Sequence, residues 1–88
     1  MNTTAHKIAN STKKTIAAAE KLERAIAYYP WLASTTLVRR TGNVVQVESD
    51  HTRSIDAVLA LQPEGASVMR QERSNGSSLP TTVLVFVL

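Results

Sequence analysis

One stripe of apolar and small residues organises the first third of the chain. Ile8, Thr12, Ile16, Ala19, Leu22, Ile26 and Tyr29 recur at spacings of three or four, with Ala18 and Ala25 widening the stripe. That period predicts an amphipathic helix. Glu20 and Arg24 are expected to pair across one turn of its outer face. Pro30 ends it, because the residue before a proline is pushed out of the α region. Thr3, Thr4, Asn10 and Ser11 are all capping residue types. A cap at Thr3 or Thr4 takes in Ile8 and gives a helix of roughly six turns.

After Pro30 the period changes to two. Ser34–Arg40, then Thr41-Gly42-Asn43, then Val44–Glu48 reads as strand, turn, strand. Gly42-Asn43 suits a two-residue type II′ loop, since glycine takes the first central position without steric penalty. That register sets Thr41 opposite Val44, Arg39 opposite Gln46 and Val38 opposite Val47. Val38, Val45 and Val47 then share a buried face, while Arg39, Gln46 and Glu48 share a wet one. Arg40 falls on the side of Val38, its stem lying over the core at the sheet edge.

Ser54–Leu61 fits two periods. Ile55, Val58, Leu59 and Gln62 have helical spacing, whereas Ile55, Ala57, Leu59 and Leu61 alternate like a strand. Helix is favoured, because the alanines suit it and Asp50, Thr52 or Ser54 offers a cap. Gln62-Pro63-Glu64-Gly65 stops the element. Ala66–Arg73 then reads as a strand, with Arg70 and Arg73 on opposite faces, and Ser74-Asn75-Gly76-Ser77-Ser78 as a polar turn.

The last strand begins near Pro80 or Thr81 and ends in six consecutive apolar residues, Val83 to Leu88. This run is far short of the ~20 residues that cross a bilayer. Unalternating apolar sequence belongs to a strand covered on both faces, by its own chain or by a second copy. A tight Asn75-Gly76 turn sets Val68 opposite Val83 and Ala66 opposite Val85.

The expected fold is therefore one small α+β domain spanning residues 1–88, with the order α-β-β-α-β-β. An antiparallel sheet carries its helices on one face, and residues 1–9 are a candidate mobile start. If residues 54–61 form a strand, the alternative is one long helix against a five-stranded antiparallel sheet. Two helices cover one face of such a sheet. The second face of the last strand then needs loop residues such as Trp31, or another chain.

Composition changes this picture little. The 43% apolar fraction with 19% charged residues is globular rather than disordered. The absence of cysteine excludes a disulfide scaffold and thiolate chemistry. The opening residues hold no apolar stretch of signal-peptide type, so a cytoplasmic location is the default expectation. Charge is more informative. Residues 1–30 carry Lys7, Lys13, Lys14, Lys21 and Arg24 against only Glu20 and Glu23, whereas the remainder is balanced. All the excess positive charge sits on the first helix, which makes those five cations candidates for binding a polyanion.

Catalytic constellations are missing. Asp50, His51 and Ser54 are the residue types of a hydrolytic triad, but triads gather from distant chain positions, and these read as capping residues beside an exposed histidine. His6 is the other histidine, and no HxxxH, HxH or HExxH spacing exists to hold a metal. No phosphate-cradling glycine motif and no paired carboxylates occur, so neither a cofactor nor an enzymatic activity is expected. No aromatic residue interleaves with the later arginines, which argues against base stacking there. Tyr28-Tyr29-Pro30-Trp31 either staples the helix end onto the core or forms a recognition patch, since Tyr and Trp anchor interfaces.

The segment Arg53-Ser54-Ile55-Asp56-Ala57-Val58-Leu59-Ala60-Leu61, followed by Gly65-Ala66 and Val68, resembles the regulatory-serine helix and following strand of HPr-type phosphocarriers. The resemblance covers a minority of the chain and implies only local fold. That family's opening strand and its His-x-Arg-Pro phosphorylation motif are absent, so its phosphotransfer activity does not carry over.

The expectation is a non-enzymatic binding or regulatory module that engages a protein partner, including a second copy of itself. Its candidate interface residues are Tyr28, Trp31, Val83, Val85 and Val87, and no membrane partner is implied. The alternative is nucleic-acid or other polyanion binding through the basic helix.

Overall fold

The amphipathic stripe folds as α1, Lys13–Tyr28, and it starts later than its pattern suggests. In the computed structural model, residues 12–74 and 80–88 are described; Ile8 and the capping candidates Thr3, Thr4, Asn10 and Ser11 lie outside them. Thr12 is extended (φ −121°, ψ 169°), so no helix runs through it, and the six-turn expectation gives way to about four and a half turns. Its hydroxyl accepts from Thr15 N at 3.3 Å, while Thr15 Oγ1 accepts from Thr12 N at 2.8 Å, a reciprocal capping box. Ala19, Leu22 and Ile26 carry the buried stripe. Tyr29, expected to continue it, is instead the extended C-cap residue before Pro30.

Pro30 does more than end α1. It opens α2, Pro30–Thr35, where its missing N–H and fixed φ suit the first helical position. The strand expected from Ser34 therefore starts only at Leu37. β1, Leu37–Thr41, and β2, Val44–Ser49, pair with Thr41↔Val44, Arg39↔Gln46 and Val38↔Val47, as the turn chemistry dictates. Gly42 sits at φ 59° and no non-glycine residue among the described residues, Asn43 included, has positive φ, which fits type II′ rather than I′. Replacing Gly42 with Ala should cost about 1–2 kcal/mol through the left-handed backbone. A lower urea midpoint at unchanged m-value is the expected readout.

The ambiguous segment is helical: α3 spans Thr52–Ala60. Its N-cap is His51, without a side-chain cap bond, rather than Asp50, Thr52 or Ser54. The capping chemistry fails because Ser54 faces inward. α3 is followed by a turn with Gly65 at φ 82° and an Ala66 N to Pro63 O bond of 3.2 Å. β3, Ser67–Arg73, and β4, Thr81–Val87, complete an antiparallel sheet of order β1-β2-β4-β3. The apolar closing run is thus one of two inner strands, bonded to β2 on one side and β3 on the other.

The β3–β4 register differs from the one expected of a two-residue turn. Val68 lies opposite Phe86 and Met69 opposite Val85, a slip of three residues. The Ser74–Ser78 turn lies largely outside the described residues. An odd slip exchanges faces, and here it moves Val68 beneath the helices beside Phe86. Core packing, not turn chemistry, selects this register.

The core lies between the helices and one sheet face. Ala19, Leu22 and Ile26 from α1, Leu32 from α2, and Ile55 and Val58 from α3 meet Val45, Val47, Leu84 and Phe86. Arg40 crosses the core edge to place Nε 3.1 Å from Glu23 Oε1, so the ion pair of α1 joins helix to sheet rather than Glu20 to Arg24. Asn43, buried in the first hairpin turn, accepts at its backbone O from Leu88 N (3.0 Å) and donates from Nδ2 to Leu88 O (3.1 Å), holding the end of β4 in place.

Candidate functional site

Side chains alternate along β4, and this divides its apolar run between two environments. Leu84 and Phe86 enter the core; Val83, Val85 and Val87 project to the opposite face. Among the described residues no helix or strand layers against that face. Cross-strand neighbours complete it: Leu37, Glu48, Val83 and Gln71 form one row, and Arg39, Gln46, Val85 and Met69 the next. Val44, Val87 and Ser67 form a third.

The three valines are not equivalent. Val83 and Val87 are screened at 3% and 5% exposure, whereas Val85 retains solvent contact. The apolar surface actually presented is Val85 with Met69 (52% exposed) and Leu37 (51%), bordered by half-buried Val44. Polar groups on this face engage one another. Glu48 Oε1 accepts from Gln46 Nε2 at 2.9 Å and lies 3.5 Å from Arg73 Nη1. Met69 and Leu37 were missed as candidates, although alternation in β1 and β3 marks them once the register is known.

Trp31 does not cover β4, contrary to the expectation. It sits in the first turn of α2, half exposed, and lines a hollow of about 470 Å³ with Thr35, His51, Arg53 and Ser54 at the start of α3. Leu32 takes the buried position instead, because one residue further along α2 faces the core. The stapling role belongs to Leu32, and the aromatic cluster stays outside. Tyr28 is 78% exposed and meets Tyr29 edge-to-face, with ring centroids 5.1 Å apart.

The five basic candidates do not form one patch. Lys7 lies outside the described residues. Lys13 and Lys14 occupy the first two positions of α1, whose first turn holds no acid, so they are not the mid-helix residues an early start implies. There they oppose the positive helix end by tenths of a kcal/mol each. Lys14 faces a hollow that also includes Glu64. Lys21 and Arg24 lie further along and share a shallow hollow of about 500 Å³ with Ala25, Tyr28, Tyr29 and Leu61.

The Asp50-His51-Ser54 grouping separates into two parts. His51 Nδ1 lies 2.8 Å from Asp50 Oδ1 at the surface. Ser54 is buried with Oγ 2.6 Å from Thr35 Oγ1. Thr35 Oγ1 donates its single proton to Trp31 O at 2.7 Å, so the Ser54 hydroxyl donates to Thr35. Its proton is committed to a structural bond between α2 and α3. Ser49 extends this joint: its hydroxyl donates to Thr35 O at 2.7 Å and accepts from His51 N at 3.0 Å. The three hydroxyls join α2, β2 and α3.

Among the described residues, no cluster of three His or acidic side chains is disposed to hold a metal, and no helix is long and apolar enough to cross a membrane. The segment resembling phosphocarriers does form a helix followed by a strand, α3 and β3. The chain matches no protein-family model, no curated protein and no solved structure.

Proposed function

We propose that this protein is a non-enzymatic binding module acting through protein–protein contacts, and that the uncovered sheet face docks a second copy of the chain. One observation carries the reading. An inner strand turns three valines toward a face that no described element covers, with Met69 and Leu37 half exposed beside them. A partner with a matching apolar centre removes that surface from water, worth roughly 25 cal/mol per Å². A second copy meets the requirement through an isologous contact, with Val85, Met69 and Leu37 facing their own counterparts. Glu48, Gln46 and Arg73 already engage one another, so the centre of the patch imposes little charge selection.

Size sets the expected strength. Four strands about 4.8 Å apart and some six residues long present a face of roughly 400 Å² in projection. This is at the low end of specific interfaces, which bury about 800 Å² per partner. Reversible association is therefore expected rather than an obligate dimer.

Sedimentation velocity over a wide concentration range supplies the test. The weight-average mass should rise with concentration. Met69→Lys places a charge at an exposed strand position, so it should retain the native circular dichroism spectrum yet weaken association by about tenfold or more. A chain that stays monomeric throughout, or a Met69→Lys variant that associates equally well, refutes self-docking by this face.

A second reading, polyanion binding along α1, is favoured by a separate observation. Lys21 and Arg24 stand beside exposed tyrosine rings, and neither has an ion-pair partner among the described residues.

A further inference from the structure

The hollow at the end of α1 supports more than general attraction to anions. Its charged lining residues are both cations, Lys21 and Arg24, while Tyr28, Tyr29, Ala25 and Leu61 supply apolar and aromatic surface. Tyr28 follows Arg24 by one helical turn and Lys21 by two, so all three fall on the same side of α1, within about 10 Å of rise. The edge-to-face contact with Tyr29 orients the pair, and Tyr28 remains 78% exposed. An aromatic ring of a folded element, held in water beside cations that have no ion-pair partner among the described residues, is the arrangement on which unpaired bases stack while their phosphates are neutralised.

Building on the polyanion reading, we propose that this hollow is a single-stranded nucleic-acid contact, with Tyr28 as the stacking platform and Lys21 and Arg24 as the phosphate ligands. Charge complementarity selects an anionic occupant. The exposed rings select, among anionic polymers, one with flat apolar groups free to stack. Duplex nucleic acid fits less well, because its bases are already stacked and paired. An acidic peptide brings the charge without the planar surface. The sequence places Arg24 and Tyr28 one turn apart, but only the break at Pro30 brings Tyr29 against Tyr28, and only the tertiary fold adds Leu61.

Fluorescence anisotropy with a labelled oligothymidylate measures the effect on the intact chain. Binding should weaken about tenfold in Tyr28→Ala and be retained in Tyr28→Phe, which keeps the ring. With two phosphates neutralised, the logarithm of the affinity should fall with that of salt at a slope of about −1.4. Lys21→Ala should reduce this slope by half. A duplex of equal length and a polyglutamate competitor should both bind more weakly than the single strand. If oligothymidylate binds but Tyr28→Ala changes nothing, or if duplex or polyglutamate binds equally well, stacking is refuted while polyanion binding survives. If no polyanion binds even at low salt, both ideas fall. The exposed position of Tyr28 keeps the variants folded, which circular dichroism verifies.

Discussion

Removal of Val83–Leu88 should leave the remaining chain unfolded. These residues supply most of the strand that joins β2 to β3, and Leu84 and Phe86 occupy the centre of the core. Their loss forfeits two fully buried side chains, worth several kcal/mol each. It also strips β3 of most of its ladder and leaves β2 paired only with β1. A domain of this size holds roughly 5–13 kcal/mol of stability in total, so the loss exceeds what is available. Circular dichroism and limited proteolysis of the truncated chain make the measurement. A folded, protease-resistant product would show that β4 is peripheral.

The second large effect separates the two faces of the same strand. Phe86→Ala should destabilise the protein by about 3–5 kcal/mol, because a fully buried ring between Val45 and Val68 leaves a cavity under the helices. Val85→Ala, one residue earlier, should cost roughly 1 kcal/mol, since the removed methyl groups face partly into solvent. Urea unfolding of both variants measures the ratio. Equal losses would mean that the open face is packed as tightly as the core, and the assignment of Val85 to a docking surface would fail.

The reach of the sequence is clearest in the two hairpins. In the first, Gly42-Asn43 suits a two-residue loop, and a loop of that length fixes every pair from Thr41↔Val44 to Leu37↔Glu48. In the second, the connection from Ser74 to Pro80 is long enough to allow several registers. The choice falls to whichever puts Val68 next to Phe86 beneath the helices. A reading that trusted Asn75-Gly76 as a tight turn therefore slips by three residues and places Val68 on the wrong face.

The same contrast governs the candidate surfaces. Alternation shows that the closing run has two apolar faces, but not which is buried, and it gave no sign that Val83 and Val87 would be screened while Met69 is exposed. The aromatic cluster reads as a staple more readily than as a patch, yet its rings lie outside the core. What decides for Trp31 is the helical phase after Pro30, which turns Leu32 inward and leaves Trp31 outside, while Tyr28 ends α1 on its exposed side. Ser54 read as a capping residue because its type suits that role. It became a buried linker because Thr35, nineteen residues earlier, arrives with an acceptor.

Local chemistry in the sequence determined the period of α1, its stop at Pro30, the first hairpin and its register, and the role of the last strand as the spine of the sheet, and it favoured a helix over a strand at 54–61. Each rests on interactions within a few residues or on an apolar run too long to leave in water. The tertiary structure alone decided the second hairpin's register, the short helix α2, the joint at Thr35, Ser49 and Ser54, and which face of β4 stays open. Those outcomes depend on contacts between segments far apart in the chain, where several local conformations differ by little and packing of the shared core decides among them.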